Sequence, residues 1–280
     1  MKISFTKMHG LGNDFMVLDL LANDIELSAA QIRKLANRHT GIGFDQLLQI
    51  EAPTETGIDF NYRIFNPDGT EVEHCGNGAR CFARYVSDKG LTTKNPISVK
   101  TLNRVLSLHI NENGEVTVDM GKPDFVPAQI PFNANVQANS YHRELLVDGR
   151  KLNLEFSALS MGNPHAVIIV EDIENTAVKD IGEALGAHPD FPQGVNVGYM
   201  QILDRSRLIL RVYERGVGET LACGTGACAA VVAGCLQGQL DDTVEVQSRG
   251  GQLSVNWRQQ DSHLLMTGPV TTVYEGSIQL

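Results

Sequence analysis

Two cysteines sit in near-copies of one short motif. Cys75-Gly-Asn-Gly-Ala-Arg-Cys81 is echoed 148 residues later by Cys223-Gly-Thr-Gly-Ala-Cys228. Each motif leads into a run rich in Ala, Cys and Val that predicts a helix, Gly76 to Lys89 and Gly224 to Gly238. Cys75 and Cys223 therefore stand immediately before helix N-termini. Such an end presents unpaired N–H groups and the positive pole of the helix dipole, a natural seat for a carboxylate or phosphate. A cysteine there has its thiolate favoured, so its pKa is expected to fall from about 8.5 toward neutrality. If the two motifs face each other, a small anion lies between two helix ends with one sulfur on each face. Inverting a stereocentre without a cofactor asks for that arrangement, a base on one face and an acid on the other. The helix ends would stabilise the charge that grows on a carboxylate when its α-carbon loses a proton. No GxxxxGK[ST] motif competes, and GLGNDF at Gly10 lacks the third glycine of a dinucleotide fingerprint.

The elements that position these cysteines are themselves repeated. Gly12-Asn13 is matched by Gly162-Asn163, Gln46 by Asn196, and NYRIFN ending at Asn66 by LRVYE ending at Glu214. The order is the same and the offset stays at 148 or 150 residues. The chain thus reads as one pattern written twice. Alternating or apolar strand patterns run over Phe15 to Leu20, Gln46 to Glu51, Asp59 to Asn66, Ser98 to Ile110 and Val116 to Met120. The second half offers Glu144 to Val147, Leu152 to Ala158, Ala166 to Val170, Val195 to Leu203, Leu208 to Tyr213, Thr243 to Gln247 and Gln252 to Trp257. A helix is expected from Ser28 to His39, with Ser28 and Gln31 at capping-box spacing, and its counterpart from Val178 to His188. Turn signals at Asn113-Gly114 and Asp148-Gly149 point to a largely antiparallel sheet. The run after Gly224 is apolar on every face and must be buried all round. The expected fold is α+β, two pseudo-symmetric halves, each a mainly antiparallel sheet curled around a central apolar helix. The expected division is 1–120, to which 270–280 returns, and 121–269, with the Pro-containing stretch from Gly121 to Arg143 as the crossover.

Composition narrows the function classes. The 280 residues carry a formal net charge of −10, with no long Lys/Arg run, which argues against nucleic-acid and anionic-membrane partners. No segment approaches the run of about 18 apolar residues that a membrane span needs, and MKISFTKMHG lacks an apolar signal core. The five cysteines form neither a disulfide framework nor a CxxC zinc pattern. They are read as reduced, in a cytoplasmic protein, with Cys81, Cys228 and Cys235 as small core residues.

Longer segments carry a family resemblance along essentially the whole chain. KMHGLGNDF (Lys7 to Phe15), GIGFDQ (Gly41 to Gln46), FNPDGTEVEHCGNGARCFARY (Phe65 to Tyr85), MGNPHAV (Met161 to Val167), GVNV (Gly194 to Val197) and YERGVGETLACGTGACA (Tyr213 to Ala229) resemble the diaminopimelate epimerases. Thr70 stands where that family commonly has Ser, and His74 where Met is frequent. The resemblance implies interconversion of LL- and meso-2,6-diaminopimelate, a step toward lysine and peptidoglycan precursors, with no pyridoxal phosphate and no metal. It implies Cys75 and Cys223 as the acid/base pair. Asn13, Gln46, Asn66, Asn163, Asn196 and Arg215 resemble substrate-binding residues. Gly76-Asn77 and Gly224-Thr225 resemble the amides that hold the α-carboxylate. His165 and Glu214 resemble residues that contact the reacting centre and set the thiol states. A homodimer is implied, with Tyr274 resembling a dimer contact.

The residue chemistry agrees with these roles. A substrate with two ammonium and two carboxylate groups asks for both donors and acceptors, which Asn and Gln supply without net charge. Arg215 can hold a distal carboxylate with two parallel hydrogen bonds, and Glu214 can accept from an α-ammonium. Arg80 and Arg84 are read as surface or packing residues, and His39, His109, His142 and His188 are given no role. Two alternatives stand beside the epimerase. One is a racemase or isomerase of the same fold acting on another amino acid such as proline, against which Arg215 argues. The other is a non-enzymatic thiol switch between Cys75 and Cys223.

Overall fold

The computed structural model describes residues 2–21, 25–73, 75–259 and 262–279. His74, noted above, lies outside them. The chain divides into two units, Met1–Asp119 with Thr267–Leu280, and Met120–Met266.

The first unit begins with β1 (Lys2–Gly10) and β2 (Asn13–Asp19), an antiparallel hairpin closed by Leu11 and Gly12, both at positive φ. Two such residues make the tight turn that matches strand twist. Helix α1 (Ala29–Ala36) then carries the chain to β3 (Gln46–Glu51), parallel to β2. Strand β4 (Phe60–Phe65) returns antiparallel to β3, and short β5 (Glu71–Val72) folds back on it. After α2 (Gly76–Asp88), β6 (Ile97–Lys100) runs parallel to β4. Strands β7 (Val105–Ile110) and β8 (Val116–Gly121) continue antiparallel.

The second unit repeats this scheme. Strands β9 (Tyr141–Val147) and β10 (Arg150–Ser160) form a hairpin through Asp148 and Gly149. Strand β11 (Pro164–Ile169) pairs antiparallel with β10, and α3 (Val178–Gly186) leads to β12 (Asn196–Asp204), parallel to β11. Strand β13 (Arg207–Glu214) is antiparallel to β12 and carries short β14 (Gly218–Thr220). After α4 (Gly224–Leu236), β15 (Thr243–Ser248) lies parallel to β13 and β16 (Gly251–Asn256) antiparallel to β15. Strand β17 (Leu264–Gly268) leads the chain back to the first unit, where β18 (Thr271–Gln279) pairs with the free edge of β1 as β9 does with β10. The fold is α+β in two like halves.

Strands β2 and β3 are buried on both faces, which is why FMVL and LLQI read as continuous rather than alternating runs. One face is covered by α1, whose Ile32, Leu35 and Ala36 pack with Ile3, Phe5, Met16, Leu18 and Leu47. The other carries α2. Helix α4 is buried from Gly226 to Cys235, and α2 from Gly76 to Ala83. Gly78 and Gly226 have a packing reason. A Cβ on Gly78 would stand 2.5 Å from the Tyr62 hydroxyl, and one on Gly226 3.1 Å from Val212.

Three expectations change in detail. Ser98 to Ile110 is a hairpin rather than one strand, because Thr101 Oγ1 donates to the Arg104 carbonyl at 2.9 Å and turns the chain. The helix from Ser28 has its capping box but stops at Ala36. Asn37 turns extended there, and its Oδ1 accepts from the amides of His39 and Thr40 at 2.9 Å. The crossover from Gly121 contains a single 3-10 turn, Pro127–Gln129, and is already strand at Tyr141.

Candidate active site

In the first unit Cys75 is the N-cap of α2, with extended backbone (φ −139°, ψ 122°). Its thiol donates to Asn13 Oδ1 at 3.5 Å, and Asn77 Nδ2 donates to the same oxygen at 3.2 Å. Asn13 opens β2 directly after the Leu11-Gly12 turn, so the turn sets its place. Its Nδ2 donates to Asp45 at 3.2 Å. Gln46, first residue of β3, donates to Asn66 Oδ1 at 3.1 Å, and Asn66 lies just past the end of β4. Asn13, Gln46, Asn66, Gly76 and Asn77 thus gather at one end of the sheet, beside the start of α2. Helix α2 has no acidic residue in its first turn.

The second unit builds the matching arrangement. Cys223 is the N-cap of α4 (φ −126°, ψ 113°), one residue before Gly224. Its sulfur lies 3.5 Å from Thr225 Oγ1, to which Asn163 Nδ2 donates at 3.3 Å. His165 Nε2 meets Asn163 Oδ1 at 3.0 Å. Asn196 pairs with His165 across the β11–β12 ladder. Its amide is engaged by the scaffold, donating to the Pro164 carbonyl at 3.1 Å and accepting from the Arg215 amide at 2.9 Å. The Arg215 guanidinium donates to the Gln193 carbonyl at 2.9 Å. Glu214 accepts from Thr220 Oγ1 at 2.5 Å.

Burial decides the charge states here. His165 is fully buried, and desolvation, helped by the Arg215 charge, pushes its pKa down to about 3. The ring is neutral, with Nε2–H on Asn163 and a bare Nδ1 that has no hydrogen-bond partner among the described residues. Cys223 overturns one expectation. Its pKa lies well above the ordinary thiol value, because burial disfavours the thiolate and Glu214 adds a neighbouring negative charge. The Thr225 hydroxyl and Gly226 amide pull the other way and lose. A helix end favours a thiolate, and burial away from water opposes it. Cys81, Cys228 and Cys235 are buried, as core residues should be.

Two features escape a reading of single motifs. Arg80 is not a surface residue. It is fully buried and donates to Asn77 Oδ1 at 2.9 Å, whereas Arg84 is half-exposed and paired with Asp88. The repeat also carries a matched clasp. Arg63 holds Glu71 by two bonds of 2.8 Å, and Arg211 holds Glu219 by bonds of 2.7 and 3.0 Å. Each clasp ties β4 to β5, or β13 to β14, across the turn that bears Asn66 or Glu214-Arg215. The signal was present as Arg and Glu at the repeat offset of 148.

The family model described as diaminopimelate epimerase matches residues 5–126 and 157–273. A diaminopimelate epimerase of Nitrosomonas europaea is 57% identical over 280 residues, covering all of both chains. The chain belongs to the diaminopimelate epimerase family. Another family relative, the diaminopimelate epimerase of Pseudomonas savastanoi pv. phaseolicola, is 53% identical over the full length of both chains. Solved structures share the fold at low identity. A Bacillus anthracis phenazine biosynthesis protein of the PhzF family superposes with TM-score 0.68 at 16% identity over all of both chains. A hydroxyproline epimerase from Agrobacterium vitis gives 0.68 at 15%, over 99% of this chain and 92% of its own.

Proposed function

We propose that the chain interconverts LL- and meso-2,6-diaminopimelate by two-base chemistry at Cys75 and Cys223, with no cofactor. The observation that carries the reading is the placement of a cysteine at the N-cap of the central helix in each half of a chain from this family. In one direction the Cys75 thiolate takes the α-proton, forming an S–H bond as the C–H bond breaks. The electron pair moves onto the α-carboxylate, where amides at Gly76-Asn77 and Gly224-Thr225 stabilise it. The thiol that burial maintains on Cys223 then protonates the opposite face of carbon and is left as thiolate. Exchange with solvent resets the pair, and the reverse reaction swaps the roles. Asn13, Gln46, Asn66 and Asn163 contribute neutral donors and acceptors to the substrate, and Asn196 holds the Arg215 backbone that presents the guanidinium to the distal carboxylate. Glu214 accepts from the α-ammonium. Neutral His165 contacts the reacting centre with an imidazole that adds no charge.

Incubation with LL-diaminopimelate in deuterated water tests this reading. Deuterium is expected at the inverted α-carbon, and Cys75→Ala or Cys223→Ala is expected to lower its entry at least about 10²-fold. Full exchange in either variant would sink the two-base mechanism, and turnover of proline instead would move the substrate assignment. We also place the protein in the cytoplasm as a homodimer. All five cysteines are free thiols, which suits a reducing compartment. Val273 and Tyr274 of strand β18 are exposed, a surface a second copy can cover.

A further inference from the structure

The amide of Asn13 has no freedom to choose which atom it shows to Cys75. Its Nδ2 faces Asp45, ion-paired to Arg38 at 2.7 Å, and a carboxylate only accepts. Its Oδ1 faces Asn77 Nδ2, and Asn77 is held in turn because its own oxygen takes the Arg80 guanidinium, which only donates. The result is a chain of fixed polarity, Arg80 to Asn77 to Asn13 to Asp45, with the Cys75 thiol donating into its middle at 3.5 Å. Arg80 and Asn77 are nearly inaccessible, at 0% and 2% exposure, so water does not compete for their bonds. The second half is built differently: Val195 and Cys228 stand where Asp45 and Arg80 do, and the Cys223 sulfur meets the Thr225 hydroxyl and the Glu214 carboxylate directly, with no amide between.

We propose that Asp45 is a positioning residue for Cys75: by locking the Asn13 amide with its oxygen toward the sulfur, it makes Cys75 a more basic thiolate than its helix end alone would. An oxygen beside the sulfur accepts from the thiol and offers nothing to the thiolate. A flipped amide would donate to the thiolate and stabilise it. A base that removes an α-proton gains from the first arrangement, since proton affinity drives the transfer. The inference rests on reading Cys75 as an acid/base group, but alkylation follows Cys75 ionisation whether or not diaminopimelate is turned over.

The test is the pH dependence of iodoacetamide alkylation at Cys75, resolved by peptide mass spectrometry in the full chain. Asp45→Ala removes one of the two groups that fix the Asn13 amide, leaving only Asn77 to hold its oxygen toward the sulfur, and is expected to lower the alkylation midpoint by up to about one pH unit, roughly tenfold faster reaction on its acid side. In an Asn13→Ala background the same substitution is expected to shift nothing. Asp45→Asn, which keeps the shape but not the obligatory acceptor, is expected to shift the midpoint in the same direction and serves if the alanine variant does not fold. An unchanged midpoint in both Asp45 variants overturns the proposal. So does a shift that persists without the Asn13 amide, which would be a direct effect of the lost charge.

Discussion

Phe15 and His165 occupy equivalent places, each two residues after the Asn of its turn and each the partner of the Gln or Asn that opens the next parallel strand. One half fills the place with an apolar ring, and the other with an imidazole kept neutral by burial. That neutrality has a consequence for stability. The folded chain refuses a proton that the unfolded chain accepts below the ordinary histidine value of 6.5. The contribution is complete above about pH 6.5 and is lost as pH falls toward 3, by up to about 1.4 kcal/mol per pH unit. His165→Gln removes this linkage. Urea unfolding at pH 7 and pH 5 should show the variant losing about 1–2 kcal/mol less than wild type on acidification. Equal losses would mean that His165 is protonated in the fold.

At the scale of elements, the Arg–Glu clasps decide how firmly the site-bearing turns are held. The Arg211–Glu219 pair is largely shielded, with side chains 17% and 20% exposed, and Arg211 also donates to the Ile173 carbonyl. The guanidinium holds the Glu219 carboxyl below its usual range. Arg211→Met is expected to cost about 1–3 kcal/mol in denaturant unfolding, the worth of lost charged hydrogen bonds. It is also expected to lower kcat/KM more than Arg63→Met does, because β13–β14 frames Glu214 and Arg215. Steady-state kinetics with both variants checks the order, and equal kinetic effects would reduce the clasps to scaffolding. The Arg63 pair is more open, with that side chain 43% exposed, so its stability effect should be smaller.

At the scale of the whole molecule, the proposed homodimer is testable through β18. Tyr274 is 46% exposed and meets Phe5 edge-on at 5.9 Å. Sedimentation is expected to show a dimer for wild type and at least about tenfold weaker association for Tyr274→Ala. A wild-type monomer at tens of micromolar would remove the dimer from the account. The repeat that suggested two halves recurs in the strand pairing, where the parallel pairs β2–β3 and β4–β6 have their twins in β11–β12 and β13–β15. Apolar spacing and turn residues act over a few neighbours in sequence, so they were legible without coordinates. They located the capping box of α1, the I′-like turn at Asp148-Gly149 and both N-cap cysteines.

The sequence by itself determined which residue types stand at which offsets, and so the doubled fold, the family and the two sulfurs at helix starts. Only the tertiary structure decided their charge states and partners. A helix end and a thiol are local, and they favour a thiolate. The burial and the Glu214 charge that keep Cys223 protonated come from the packed fold, with desolvation the largest influence. Arg80 shows the same limit, since its place on α2 was plain but its complete burial against Asn77 was not. Hydrogen-bond direction is not written in residue spacing. It emerges when a donor-only and an acceptor-only group, 35 positions apart in sequence, close on the two amides between them.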